Sequence, residues 1–97
     1  VRRTGGAVAD VTDGEIVEGI RLLARTEGVF AETAGGVVVA TLRKLLAEGL
    51  IDPDAETVIL NTGDGLKTLD AVVGEVGPTA VISPDADAVI DLLVGMP

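Results

Sequence analysis

The sequence predicts an α/β arrangement in which helices pack on a parallel sheet, and three observations carry that expectation. "TVILN" (Thr57 to Asn61) is almost continuously apolar and rich in β-branched residues, the pattern of a strand covered on both faces. Two longer stretches ahead of it repeat apolar residues at one-turn spacing, as amphipathic helices do. A glycine turn, "TGDG" (Thr62 to Gly65), follows the strand directly, and helices before a buried strand with a tight turn after it fit a layered α/β fold.

Taken in order, "GGAVADV" (Gly5 to Val11) alternates small and apolar residues after a turn and predicts a short strand. "TDGE" then places Thr12 and Glu15 at the spacing of a reciprocal capping box. The apolar positions Ile16, Val17, Ile20, Leu23 and Ala24 follow on one stripe, predicting a helix of about four turns that stops near Gly28. "VFAE" has the bias of a brief buried extended segment. In "TAGGVVVATLRKLLAEG" a second stripe runs through Val37, Val38, Thr41, Leu42, Leu45 and Leu46, with Gly49 as the C-terminal cap. Its adjacent glycines, Gly35 and Gly36, each cost roughly 1 kcal/mol relative to alanine in a helix interior. They therefore predict that something bulky approaches the backbone there. After the glycine turn the pattern weakens; "TAVI" (Thr79 to Ile82) predicts a last strand, and "SPDADAVIDLLV" a last helix capped by Ser83 with Pro84 in its first position.

Composition narrows the chemistry. With 97 residues the chain has room for one core, and because Phe30 is its only aromatic residue that core would be aliphatic. The absence of cysteine and histidine removes disulfides, thiol nucleophiles, Cys/His metal sites and histidine acid–base catalysis. A net charge of −9 is the wrong sign for a nucleic-acid surface. No apolar run reaches the length of a membrane span, so a cytoplasmic location is the default expectation. An opening that runs from Val1 straight into a Gly-Gly turn predicts a segment from the interior of a longer protein.

Three stretches invite functional readings. "DPDAET" alternates Asp52, Asp54 and Glu56 as a calcium loop begins, but Thr57 stands where that loop requires glycine and Gly63 where it requires glutamate; a solvated turn is expected and no metal ligand is assigned. "LNTGDGLK" lacks the glycine spacing and terminal Lys-Ser/Thr of a phosphate-binding loop. It is read either as a plain tight turn or as a ligand turn, since ligands of open α/β sheets lie beyond the carboxyl ends of strands. In "EGVFAETAGG", Glu27 and Glu32 are candidate acid–base carboxylates or ordinary exposed charges, and Glu32 is better placed because the glycines after it leave room for a ligand. Lys67, just past the turn, is expected to be solvated.

Together, "GGAVADVTDGEIVEGIRLLARTEGVFAETAGGVVVATLRKL" and "LNTGDGLKTLDAV" resemble the C-terminal part of the threonine synthase family, pyridoxal-phosphate enzymes of the tryptophan-synthase-β-like (fold type II) class. The resemblance covers about Thr4 to Val72 of the single segment 1–97, leaving 73–97 as a variable tail. It implies the three-layer αβα parallel-sheet portion of the fold type II large domain, and conversion of O-phosphohomoserine and water to threonine and phosphate. It also implies pyridoxal phosphate as cofactor, an amino-acid substrate, a homodimer and no membrane or nucleic-acid partner. Thr62 is then the residue whose hydroxyl faces the pyridine nitrogen, Gly63 lets the backbone pass close to the ring, and Glu32 with Thr33 lines the far side of the pocket. Thr33 stands where related enzymes usually carry proline, and Asp64 where the wider family often carries histidine or asparagine. The Schiff-base lysine is expected upstream, so no catalytic residue is assigned within these residues, and Lys67 is not given that role. Two alternatives remain open: a threonine dehydratase or cysteine synthase type of enzyme, and a non-enzymatic acidic α/β module.

Overall fold

The computed structural model describes residues 1–96. Helix α1 runs over Asp13–Glu27, α2 over Thr33–Ala47 and α3 over Ala86–Gly95, with short 3₁₀ segments at Arg2–Thr4 and Gly65–Val72.

The start of α1 is the capping box anticipated from "TDGE". The Glu15 backbone N–H donates to the Thr12 hydroxyl at 3.2 Å, and the Thr12 N–H donates to Glu15 Oε2 at 2.7 Å. Gly28 ends the helix at φ 68°, where only glycine is at ease, and its N–H reaches the Ala24 carbonyl. α2 ends in the same way: Gly49 at φ 71° turns the chain so that Leu50 N–H donates to Leu45 O at 2.9 Å and Gly49 N–H to Leu46 O at 3.1 Å, the paired bonds of a Schellman motif. The Thr12 N–H holds the Glu15 carboxyl below the usual carboxylate range, with Lys44 adding to the effect against some desolvation. A carboxyl lowered on folding contributes stability that is present above its unfolded value and lost as pH falls through its folded one. The cap therefore loosens on acidification. Glu15→Gln should remove that step from the pH dependence of helicity followed by circular dichroism, and an unchanged profile would show that the cap does not titrate.

α1 and α2 form the packed unit. Their backbones touch where Gly19 faces Gly36: a Cβ on Gly19 would lie 2.5 Å from the Gly36 carbonyl oxygen, and one on Gly36 would lie 2.5 Å from the Ile16 carbonyl oxygen. The bulky neighbour foreseen at Gly36 is thus the backbone of α1. At Gly35 it is Ala31 and the Asn61 side chain, each 2.5 Å from the missing Cβ. The contact also sets the phase of α2. Its buried residues are Gly35, Gly36, Val39, Ala40 and Leu45, while Val37 is exposed. That corrects the predicted stripe at Val37, while Val38 is half-buried and Leu45 buried as drawn; the unbroken apolar run Val37 to Ala40 has no phase of its own, and the glycine crossing chooses one. Ile20, Ala31 and Val72 complete the core.

The sheet is where structure and expectation part. No strand is present among the described residues; Gly5 to Val11, Thr57 to Asn61 and Thr79 to Ile82 are irregular, and "VFAE" contributes one isolated bridge, Ala31 to Asp64. The αβα sheet expected from sequence is therefore not formed by these residues. The reason is a lack of partners, because a strand is stable only with its N–H and C=O groups paired and its faces covered. Val58 and Leu60 are 80% and 74% exposed, and Val81 is 97% exposed, so segments with strand composition have nothing to pair with here. The radius of gyration, 17.9 Å, exceeds the roughly 13 Å of a compact 100-residue domain. Residues 73–96 contain no buried side chain.

The last helix departs in a smaller way. Asp85 is its N-cap, its carboxylate accepting from the Ala88 N–H at 2.8 Å, so the cap is not Ser83 and Pro84 lies before the helix. An aspartate closer to the free N–H groups takes the position that a serine two residues earlier cannot reach. No described helix is long and apolar enough to cross a membrane.

Candidate functional site

The two stretches singled out in the sequence meet. Glu32 N–H donates to Gly63 O at 3.1 Å and Gly65 N–H donates to Phe30 O at 2.9 Å, an antiparallel bridge that clasps "VFAE" against "TGDG". Each glycine of the turn makes room for a side chain of the opposite segment. The Glu32 carboxylate occupies the place a Cβ on Gly63 would take, and the Phe30 ring lies 2.5 Å from the Cβ position of Gly65. A side chain at either position would push the segments apart.

Four further contacts fix the turn. Asp64 caps the 3₁₀ segment behind it, Oδ1 accepting from the Leu66 N–H at 2.8 Å, and its carbonyl accepts from the Lys67 N–H at 3.1 Å. The segment breaks at Thr68 (φ −133°, ψ 46°), which brings the Thr68 hydroxyl to the start of α2, where it accepts from the Thr33 N–H at 3.1 Å. Helix α2 has no side-chain cap from its own N-cap residue, Glu32; Thr68 supplies one from 35 residues away. Lys67 Nζ lies 3.4 Å and 3.5 Å from the two Glu32 carboxylate oxygens.

Of the site residues read from sequence, Thr62, Gly63 and Glu32 are brought together by the bridge. Thr62 is exposed, and its hydroxyl makes no hydrogen bond among the described residues. Glu32 is 8% exposed, with its carboxylate turned toward Gly63 and Lys67. Glu27 ends α1 in solvent, so the two candidate carboxylates sit in different environments. Thr33 also lines a small cavity with Asp13, Ile16, Val17 and Ala71. A larger cleft of about 660 Å³ lies along the α1–α2 seam between Glu15, Glu18, Arg43 and Lys44 and shares no residue with the turn. Asp52 forms a local turn, accepting from the Asp54 N–H at 2.9 Å.

The pairing of Lys67 with Glu32, the cap from Thr68 and the seat of Asn61 on Gly35 were missed from sequence. Lys67 was expected in solvent, and it is 70% exposed while still reaching Glu32. The sequence signal that could have found it is the burial of its partner: a glutamate between an apolar segment and a glycine-opened helix needs a cation.

This geometry is a clasped glycine turn with a free hydroxyl at its lip. The chain belongs to the pyridoxal-phosphate-dependent enzyme family, whose model matches residues 1–63. The family uses pyridoxal phosphate, and an exposed, unpartnered hydroxyl beside the clasped turn fits that group, since it can donate a hydrogen bond to a ring nitrogen. The particular relatives are threonine synthases. That of Methanocaldococcus jannaschii is 51% identical over 70 residues, covering 72% of this chain and 17% of the relative. That of Halalkalibacterium halodurans is 39% identical over 94 residues, with 95% and 26% covered. That of Methanosarcina acetivorans is 36% identical over 95 residues, with 98% and 24% covered. The chain thus spans about a quarter or less of the length of these relatives.

Proposed function

We propose that the chain is the C-terminal part of a threonine synthase, contributing the nitrogen-facing wall of a pyridoxal-phosphate site in a cytoplasmic homodimer that converts O-phosphohomoserine and water to threonine and phosphate. The observation that carries the reading is the bridge between "VFAE" and "TGDG", which seats Gly63 on Glu32 and leaves the Thr62 hydroxyl exposed and unpartnered. Similarity to threonine synthases over nearly the whole chain supports the substrate.

When bound, pyridoxal phosphate supplies an electron sink for charge developing beside the amino-bearing carbon. Within this chain the Thr62 hydroxyl would donate a hydrogen bond to the pyridine nitrogen while keeping its proton. A neutral hydroxyl does not hold a proton on that nitrogen as a carboxylate does, so the ring stays a weaker sink, suited to elimination and replacement further along the substrate. Gly63 and Glu32 hold Thr62 at that position. Thr33 contributes its backbone to the start of α2 and, through it, the placing of Glu32. The Schiff-base lysine and the phosphate cradle lie in other parts of the complete protein. The exposed strand-like segments around Val58 and Val81 become strands of the αβα sheet there, where neighbours pair their backbones.

The test is the complete protein supplied with O-phosphohomoserine. Equal release of phosphate and threonine is expected. Deamination of threonine to a keto acid, or sulfide-dependent formation of cysteine, with no phosphate released from O-phosphohomoserine, would assign the chain to a related enzyme instead.

A further inference from the structure

We propose that Lys67 is a positioning residue for the cofactor: by pairing with the buried carboxylate of Glu32 it locks the turn that carries Thr62. The inference rests on the reading of Thr62 as the residue facing the pyridine nitrogen.

Residues 63 to 67 wrap Glu32 from two sides. Gly63 lies against the carboxylate in the space its own side chain would fill, and Lys67 Nζ closes the other side at 3.4 Å and 3.5 Å from its two oxygens. The backbone completes the loop, with Glu32 N–H on Gly63 O and Lys67 N–H on Asp64 O. The ion pair is asymmetric, the Glu32 side chain being 10% exposed and that of Lys67 70%. An ion pair exposed on both sides contributes little. Here one partner is buried, and removing the cation leaves an uncompensated charge that is driven to turn out to water. Turning out vacates the surface on which Gly63 rests. Thr62 precedes Gly63 directly, so freedom at Gly63 becomes freedom at the hydroxyl. No other lysine or arginine among the described residues pairs with Glu32; Lys44 is engaged with the Asp10 carbonyl at 2.7 Å and Arg21 with Glu75 at 2.7 Å.

The experiment uses the complete protein, stripped of cofactor and titrated with pyridoxal phosphate, reading the dissociation constant and the visible circular dichroism of the bound chromophore. Lys67→Met is expected to weaken cofactor affinity about tenfold, the lower end of what losing an outer-shell partner costs a bound metal, and to diminish the visible dichroic band. Lys67→Arg should restore both, since it keeps the charge and the reach. Glu32→Gln, which keeps the shape under Gly63 and needs no cation, should weaken affinity less than Lys67→Met, and the double variant should be no worse than Lys67→Met alone, because the two side chains act as a unit. Lys44→Met, which removes an exposed pair elsewhere, should leave both readouts unchanged. Thr62→Ala separates the two levels of the argument. If it weakens affinity and alters the band while Lys67→Met does neither, the pairing role is wrong and the site stands. If Thr62→Ala is silent, the site reading falls, and the inference with it, whatever Lys67→Met does.

Discussion

Gly36→Ala is expected to destabilise the complete protein by about 3 kcal/mol, the upper end of the cost of adding a methyl group to a packed interior. The new Cβ would stand 2.5 Å from the Ile16 carbonyl oxygen and under 3 Å from two carbon atoms of the Ile16 and Ile20 side chains. A flexible side chain can swing away, but a helix carbonyl cannot, so α1 must lift off α2 along the seam that contains Ile20, Val39 and Ala40. Because α2 begins at Thr33, the displacement carries to the bridge between Glu32 and Gly63. Gly14 gives the comparison within the same unit. A Cβ there meets only the Thr12 hydroxyl at 4.0 Å, so Gly14→Ala should be neutral or gain up to about 1 kcal/mol from helix propensity. Urea unfolding of the two variants measures both. A Gly36→Ala midpoint equal to that of the parent would mean the helices do not cross at this point.

Gly63→Ala is expected to act on the site more than on the fold. Its Cβ would fall within the Glu32 carboxylate, which must leave a pocket where it is 8% exposed and held by Lys67. Either the carboxylate goes to water or the bridge opens, and both release Thr62. Cofactor affinity should fall at least as far as in Lys67→Met, about tenfold, with a loss of roughly 1 to 3 kcal/mol of stability from overpacking. Shortening Glu32 in the same molecule should relieve the clash. Gly63→Ala with Glu32→Ala is therefore expected to be less destabilised than the sum of the single changes, a non-additivity proper to residues in contact. Strict additivity in thermal or urea unfolding would place Glu32 away from Gly63.

What could be read without the structure follows from how local each signal is. The capping box at Thr12 and Glu15 and the terminal glycines Gly28 and Gly49 depend on residues within one turn, and each was legible. The glycine pair in α2 announced a close approach, but not that Gly36 meets backbone while Gly35 meets Asn61, because nothing in a helix sequence names the neighbouring element. The family resemblance put "VFAE" and "TGDG" at one site but on opposite sides of it, and did not show that the two bridge directly; composition alone left the turn undecided. The cap that Thr68 provides to α2 spans 35 residues and leaves no periodic trace. The strand-like segments show the opposite failure: Val58, Leu60 and Val81 state a preference for a sheet, but a sheet exists only when other strands pair with it, and none is present among the described residues.

The central claim is that the clasped turn presents the Thr62 hydroxyl to the ring nitrogen of pyridoxal phosphate. The direct measurement is the nitrogen-15 resonance of ring-labelled cofactor bound to the complete protein. An unprotonated pyridine position is predicted for the parent, moving to the pyridinium position in Thr62→Asp, where a carboxylate would hold the proton. A pyridinium resonance in the parent protein would contradict it.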